Sequence, residues 1–191
     1  MLITISGLSG SGKSSAAQGL SEKLGMPTVD AGAIFRRMAK ERGMTVSEFG
    51  RYADKHRKID LDFDKRLIRM AKRRKTLILQ GRLTGMMTAR YEVPAIRIWI
   101  GATARTRAGR IAGREGKSVA VVAKETAARD RDNRARYLRT YGLDLNDLSV
   151  YDIVVKTDGL TLSQVIHSLL KSLKRIWPKT SRTPPKKRFR K

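Results

Sequence analysis

One segment constrains this chain more than any other: Gly7-Leu8-Ser9-Gly10-Ser11-Gly12-Lys13-Ser14. It completes the pattern Gly-x4-Gly-Lys-Ser between a β-branched apolar run, Leu2–Ser6, and a stretch of helical spacing over residues 14–24. A strand, a glycine turn and a helix in that order aim successive backbone amides at one spot. The positive end of the helix dipole lies behind them. Such a spot binds phosphate. Lys13 can reach β- and γ-phosphates, and the Ser14 hydroxyl suits a Mg²⁺ position beside them. The expected ATP contacts are Gly7, Leu8, Ser9, Gly10, Ser11, Gly12, Lys13, Ser14 and Ser15, with Ser14 facing the metal.

The first strand needs a sheet around it. Short apolar runs at residues 27–30, 76–80, 96–100 and 151–157 read as four more strands. Helical spacing recurs at 33–42, 61–75, 104–115, 119–137 and 161–176, and Thr45 with Glu48 forms a capping box that opens another helix. Strands alternating with helices predict an α/β domain of the P-loop NTPase fold, a five-stranded parallel sheet with helices on both faces.

Composition narrows the function. The chain is 40% hydrophobic before its 16 glycines are counted, which supports a core and argues against wholesale disorder. No apolar run nears the roughly 20 residues of a membrane helix, and no basic leader precedes Leu2. With no Cys there is neither a disulfide framework nor a thiolate metal site. A soluble, cytoplasmic and monomeric protein is expected. The net charge is +25, from 42 basic and 17 acidic residues. Ten of the basic residues fall between Lys171 and Lys191, without an acid among them. Residues 178–191, rich in Pro as well, read as a disordered basic tail for solubility or a weak hold on RNA and other polyanions. The remaining 32 basic residues face all 17 acids and still leave +15.

The loop alone does not separate a kinase from a GTPase or an ATP-driven machine. A GTPase needs an Asn-Lys-x-Asp base reader and an Asp-x-x-Gly switch, and neither occurs. The run at 76–80 also ends without the acid that many ATPases use for Mg²⁺. At Asp30-Ala31-Gly32-Ala33-Ile34-Phe35-Arg36 and Gln80-Gly81-Arg82-Leu83-Thr84-Gly85 the chain resembles the archaeal branch of the cytidylate kinases. The likeness continues through Arg110-Ile111-Ala112-Gly113-Arg114-Glu115-Gly116 and Tyr141-Gly142-Leu143-Asp144-Leu145, and covers about residues 1–170.

The resemblance implies ATP-dependent phosphorylation of CMP or dCMP, with Mg²⁺, by a kinase domain at 1–177. Within it, about 30–75 would bind the acceptor nucleotide and about 110–136 would form a closing lid. Asp30, Gly32, Arg36 and Arg82 become the acceptor-binding candidates. Arg36 and Arg82 follow strand ends, and guanidinium grips phosphate bidentately. Lys13, Arg110, Arg129 and Arg136 become the catalytic candidates, carried by the lid onto the transferring group, with Arg114 a weaker one. Arg105, Arg107 and Arg131 are read as solvated. Two departures from the family pattern, Gln80 and Asn133, remove negative charge near the acceptor and leave base and ribose preference open. The alternatives are the same chemistry on AMP, UMP or shikimate, and an RNA-associated NTP-binding protein.

Overall fold

A computed structural model describes residues 1–74 and 76–177, so the tail expected at 178–191 lies outside the described residues. In chain order the elements are β1 (Leu2–Ser6), α1 (Lys13–Leu24), β2 (Thr28–Asp30), α2 (Ala31–Lys40), α3 (Val46–Lys55), α4 (Arg57–Arg73) and β3 (Leu77–Gln80). There follow α5 (Thr84–Arg90), β4 (Ile96–Gly101), α6 (Ala104–Glu115), α7 (Val119–Tyr141), β5 (Ile153–Lys156) and α8 (Leu162–Ile176). The strands form one sheet in the order β2-β3-β1-β4-β5, and every neighbouring pair is parallel. This is the expected α/β architecture.

The period-2 alternation of the strands splits the core in two. Ile3, Ile5, Ile78, Ile96, Ile98 and Ile100 pack on one face against Leu20 of α1 and Leu169 and Leu173 of α8. Leu2, Leu77, Leu79 and Trp99 pack on the other, against α4, α5 and α7 through Leu67, Met86, Met87 and Tyr137. Each fully buried Leu or Ile contributes about 1.5–3 kcal/mol, so two covered faces make the sheet a rigid platform. No helix among the described residues is long and apolar enough to cross a membrane.

Four features depart from expectation. Helix α4 begins at Arg57, four residues before its helical spacing implies. Helix α2 starts at Ala31, directly after β2, two residues earlier than its periodicity implies. Helix α7 runs on to Tyr141, because Tyr137 and Tyr141, one turn apart, are both buried in the core. Helix α5 has no amphipathic signature: Thr84, Gly85, Met86, Met87 and Thr88 are all buried, so no polar face marks it in the sequence. Helices α6 and α7 form a hairpin around Ala108, Ile111, Ala112 and Val122. Because all strands are parallel, their carboxyl ends share one edge. The loops after β1 and β3, and the start of α2, therefore meet there.

Candidate active site

Glycine is required in the turn from β1 into α1. A Cβ on Gly7 would lie 2.3 Å from the Ile100 carbonyl oxygen of β4. Gly12 caps α1 at φ 93°, in left-handed backbone, and offers no side chain to the helix. The first amides of α1 are thus left for a ligand. The amide of Ser11 donates to the Leu8 carbonyl at 3.2 Å, which closes the loop, and the Lys13 ammonium donates to the same carbonyl at 3.2 Å. Burial, followed by the nearby Arg82 guanidinium, lowers the Lys13 pKa to about 8, with Asp30 opposing the shift.

Other cations converge on this loop. Arg82, just after β3, donates to Ser9 Oγ at 2.8 Å and lies 3.8 Å from the Asp130 carboxylate. Arg107 of α6 donates to the Ser9 carbonyl at 3.2 Å and pairs with Asp130 at 2.8 Å. Burial, then Arg82, pulls the Arg129 pKa down, and its Nε is buried without a hydrogen-bond partner. Arg82, Arg107 and Arg129 therefore gather about Asp130, and Lys13 lies beside Arg82 with Asp30 as its acidic neighbour, so cations outnumber carboxylates here. Such a cluster is relieved by an anion. Sequence reasoning missed Arg107. It sits in an arginine-dense stretch where one buried guanidinium looks like its exposed neighbours, yet only 6% of it is exposed.

The remaining candidates take distinct places. Arg110 donates to the Ser11 carbonyl at 3.2 Å and to Thr157 through Oγ1 at 2.9 Å and the carbonyl at 2.7 Å. It ties α6 to the phosphate loop and to the end of β5. Arg114 is exposed and pairs with Glu115 at 3.0 Å. Arg36 is exposed on α2 and pairs with Asp30 at 3.1 Å. Gly32 lies beneath that pair, where a Cβ would come within 3.2 Å of Arg36 and 3.1 Å of Asp30. Arg136 donates to the Gly50 carbonyl at 3.1 Å and to Asn133 Oδ1 at 3.2 Å, with its guanidinium 5.5 Å from the Phe35 ring centre. Asn133 also donates to the Arg129 carbonyl, so it links the two late lid arginines. Gln80 is buried in β3, and its Oε1 has no hydrogen-bond partner.

A cavity of about 460 Å³ joins these parts. It begins at Ser9, Lys13 and Ser14, passes Asp30, Arg36 and Arg82, and continues between Phe35, Phe63 and Met87 to Asp60 and Asp64 of α4. Burial pushes the Asp64 carboxyl up to about 7, although the Tyr141 hydroxyl donates to it. Among the described residues no group of three or more His, Cys, Asp or Glu side chains could hold a metal ion.

Residues 2–159 match the profile of the cytidylate kinase-like family. The chain belongs to that family. The cytidylate kinase of Pyrococcus furiosus is 45% identical over 157 residues, which are 82% of this chain and 80% of that protein. The cytidylate kinase of Methanobrevibacter smithii is 41% identical over 177 residues, 92% of this chain and all of that one. Among solved structures, shikimate kinase from Acinetobacter baumannii in complex with shikimate has a TM-score of 0.60 at 16% identity, covering 93% of this chain and 94% of that one. TT1252 from Thermus thermophilus has a TM-score of 0.59 at 19% identity, covering 92% and 96%. At such identities the likeness is one of fold, and the fold is that of P-loop kinases.

Proposed function

We propose that the protein transfers the γ-phosphoryl group of ATP to CMP or dCMP, giving ADP and CDP or dCDP. One observation carries the reading: in a chain of this family, a single cavity joins the phosphate loop, Arg36 and Arg82 to a region walled by Phe35, Phe63 and Met87 and bordered by Asp60 and Asp64. An acceptor phosphate oxygen attacks the γ-phosphorus while its bond to the ADP oxygen breaks, so two anions must be held in line. Lys13, Arg82 and Arg129 neutralise that charge in a partly dry site, where it counts most. Arg107 and Asp130 fix Arg82 and the Ser9 carbonyl in place. Arg36 would grip the acceptor phosphate once Asp30 yields to it, and Arg110 would hold the donor side.

Mg²⁺ fits as a passenger on ATP: Ser14 is exposed in the first turn of α1, and among the described residues no group of three or more His, Cys, Asp or Glu side chains could hold the ion by itself. When bound, it supplies positive charge to the β- and γ-phosphate oxygens. Residues 30–75 serve as the acceptor region and the α6–α7 hairpin, 110–136, as the lid that excludes water. An RNA-associated role would rest on residues 178–191, outside the described residues, so the site supports the kinase reading. A coupled ADP-release assay with CMP, dCMP, UMP and AMP tests it. The highest kcat/KM is expected for CMP or dCMP, and CMP no better than AMP would refute the assignment.

A further inference from the structure

The cavity end farthest from the phosphate loop is acidic, and the chemistry just described has no use for it. Asp60 and Asp64 lie four residues apart on α4, on one face of the helix. They are only 4% and 6% exposed, yet both line the cavity. Tyr141 donates to Asp64 Oδ2. Asp60 has a weaker neighbour: Arg136 Nε stands 3.6 Å from Asp60 Oδ2, beyond hydrogen-bond length. Neither of those two atoms has another hydrogen-bond partner. Arg136 cannot simply swing over, since its other nitrogens are held by Gly50, Asn133 and Tyr137. A buried carboxylate oxygen without a donor is costly and nearly always finds one. What this end lacks is therefore a donor. The aromatic walls, Phe35 and Phe63, leave that donor to arrive on a flat ring.

We propose that Asp60 and Asp64 form the base-reading end of the acceptor pocket and select a pyrimidine that carries an exocyclic amino group over one that carries a carbonyl there. The inference rests on the acceptor-pocket reading given under Proposed function. The 4-amino group of cytosine places N–H donors against the carboxyl pair. Uracil sets a carbonyl oxygen in the same place and brings no N–H there, so the buried Asp60 Oδ2 stays unmet. Tyr141 is a positioning residue that holds the Asp64 carboxyl toward the cavity. Specificity of this kind acts by rejecting the wrong partner as much as by attracting the right one.

The test compares three acceptors with the wild-type protein: CMP, UMP and pyrimidin-2-one riboside 5′-monophosphate, which is CMP without its amino group. Both UMP and the amino-less analogue should show kcat/KM about 10- to 100-fold below CMP, the loss typical of a hydrogen bond to a charged group. Asp60→Asn and Asp64→Asn should lower kcat/KM for CMP about tenfold or more while changing that for UMP less than about threefold. The CMP-to-UMP ratio within one preparation does not depend on the folded fraction, and the wild-type analogue comparison stands even if a variant does not fold. An amino-less analogue used as well as CMP overturns the inference. A CMP-to-UMP ratio unmoved in both variants overturns it as well. If the wild type phosphorylates CMP but ignores the amino group, this inference alone fails. If it phosphorylates no pyrimidine nucleotide, the proposed function fails with it.

Discussion

The two ends of the cavity are opposites. At the phosphate end, Lys13, Arg82, Arg107 and Arg129 come from four different parts of the chain, brought together by the shared edge of a parallel sheet, with Asp130 beside Arg82 and Arg107 and Asp30 beside Lys13. At the other end two carboxyls sit on a single helix, with one unmet oxygen between them and Arg136. Burial acts on both in the same sense, toward the neutral form: it lowers Lys13 and raises Asp64. Each end is thus short of the opposite polarity. A nucleotide supplies anionic phosphate at one end and, in cytosine, N–H donors at the other. In the proposed reading, the difference assigns charge at one end to catalysis and donor–acceptor complement at the other to selection.

Substitutions at each end should separate these roles. Lys13→Ala is expected to have the largest effect, a fall of about a thousandfold or more in kcat, with an unchanged melting temperature. Wild-type-like turnover in that variant would remove Lys13 from the mechanism. Arg82→Gln should cost about a hundredfold in kcat/KM, since it removes the clamp on Ser9 of the phosphate loop and, in the proposed reading, a grip on the acceptor. If its exposed guanidinium holds the acceptor phosphate as proposed, Arg36→Gln should raise the KM for CMP about tenfold with a smaller change in kcat. Its neighbour Arg37 is 81% exposed and pairs with Glu41, so Arg37→Gln should stay within about twofold of wild type.

The pH profile sharpens the same contrast. Lys13 is charged below its lowered pKa of about 8 and loses its proton above it. Activity of the free enzyme, read as kcat/KM for ATP, should therefore fall as pH rises through about 8. Bound phosphates favour the charged ammonium, so the fall in kcat itself should appear at higher pH. Arg82→Gln removes a like charge beside Lys13 and should also move the kcat/KM fall upward. A profile flat to pH 10 in the wild type would mean that the Lys13 charge is not required.

What could be read from the sequence was local. The Gly7–Ser14 loop and the Thr45 capping box follow from neighbouring residues and appear as expected. The order of strands and helices was also legible, because apolar runs and helical spacing repeat along the chain. Helix α5 was not, since a helix buried on every side has no periodic contrast. Arg107 was hidden by its Arg-rich surroundings, and its role depends on Ser9, 98 residues away. Asp60 and Asp64 were hidden in the opposite way. Spaced four apart on a highly charged helix, they look like a solvated face, and only the packing of α4 beneath Arg136 and Tyr141 buries them. The separate places of Arg110, beside the phosphate loop, and Arg136, beside α3, likewise depend on tertiary contacts with Thr157 and Gly50.

The most direct measurement is chromatographic detection of the nucleotides formed from ATP, Mg²⁺ and CMP, with the wild type and Lys13→Ala in parallel. The account predicts equal amounts of CDP and ADP from the wild type and almost none from the variant. ADP without CDP, or CDP formed equally well by both, would contradict it.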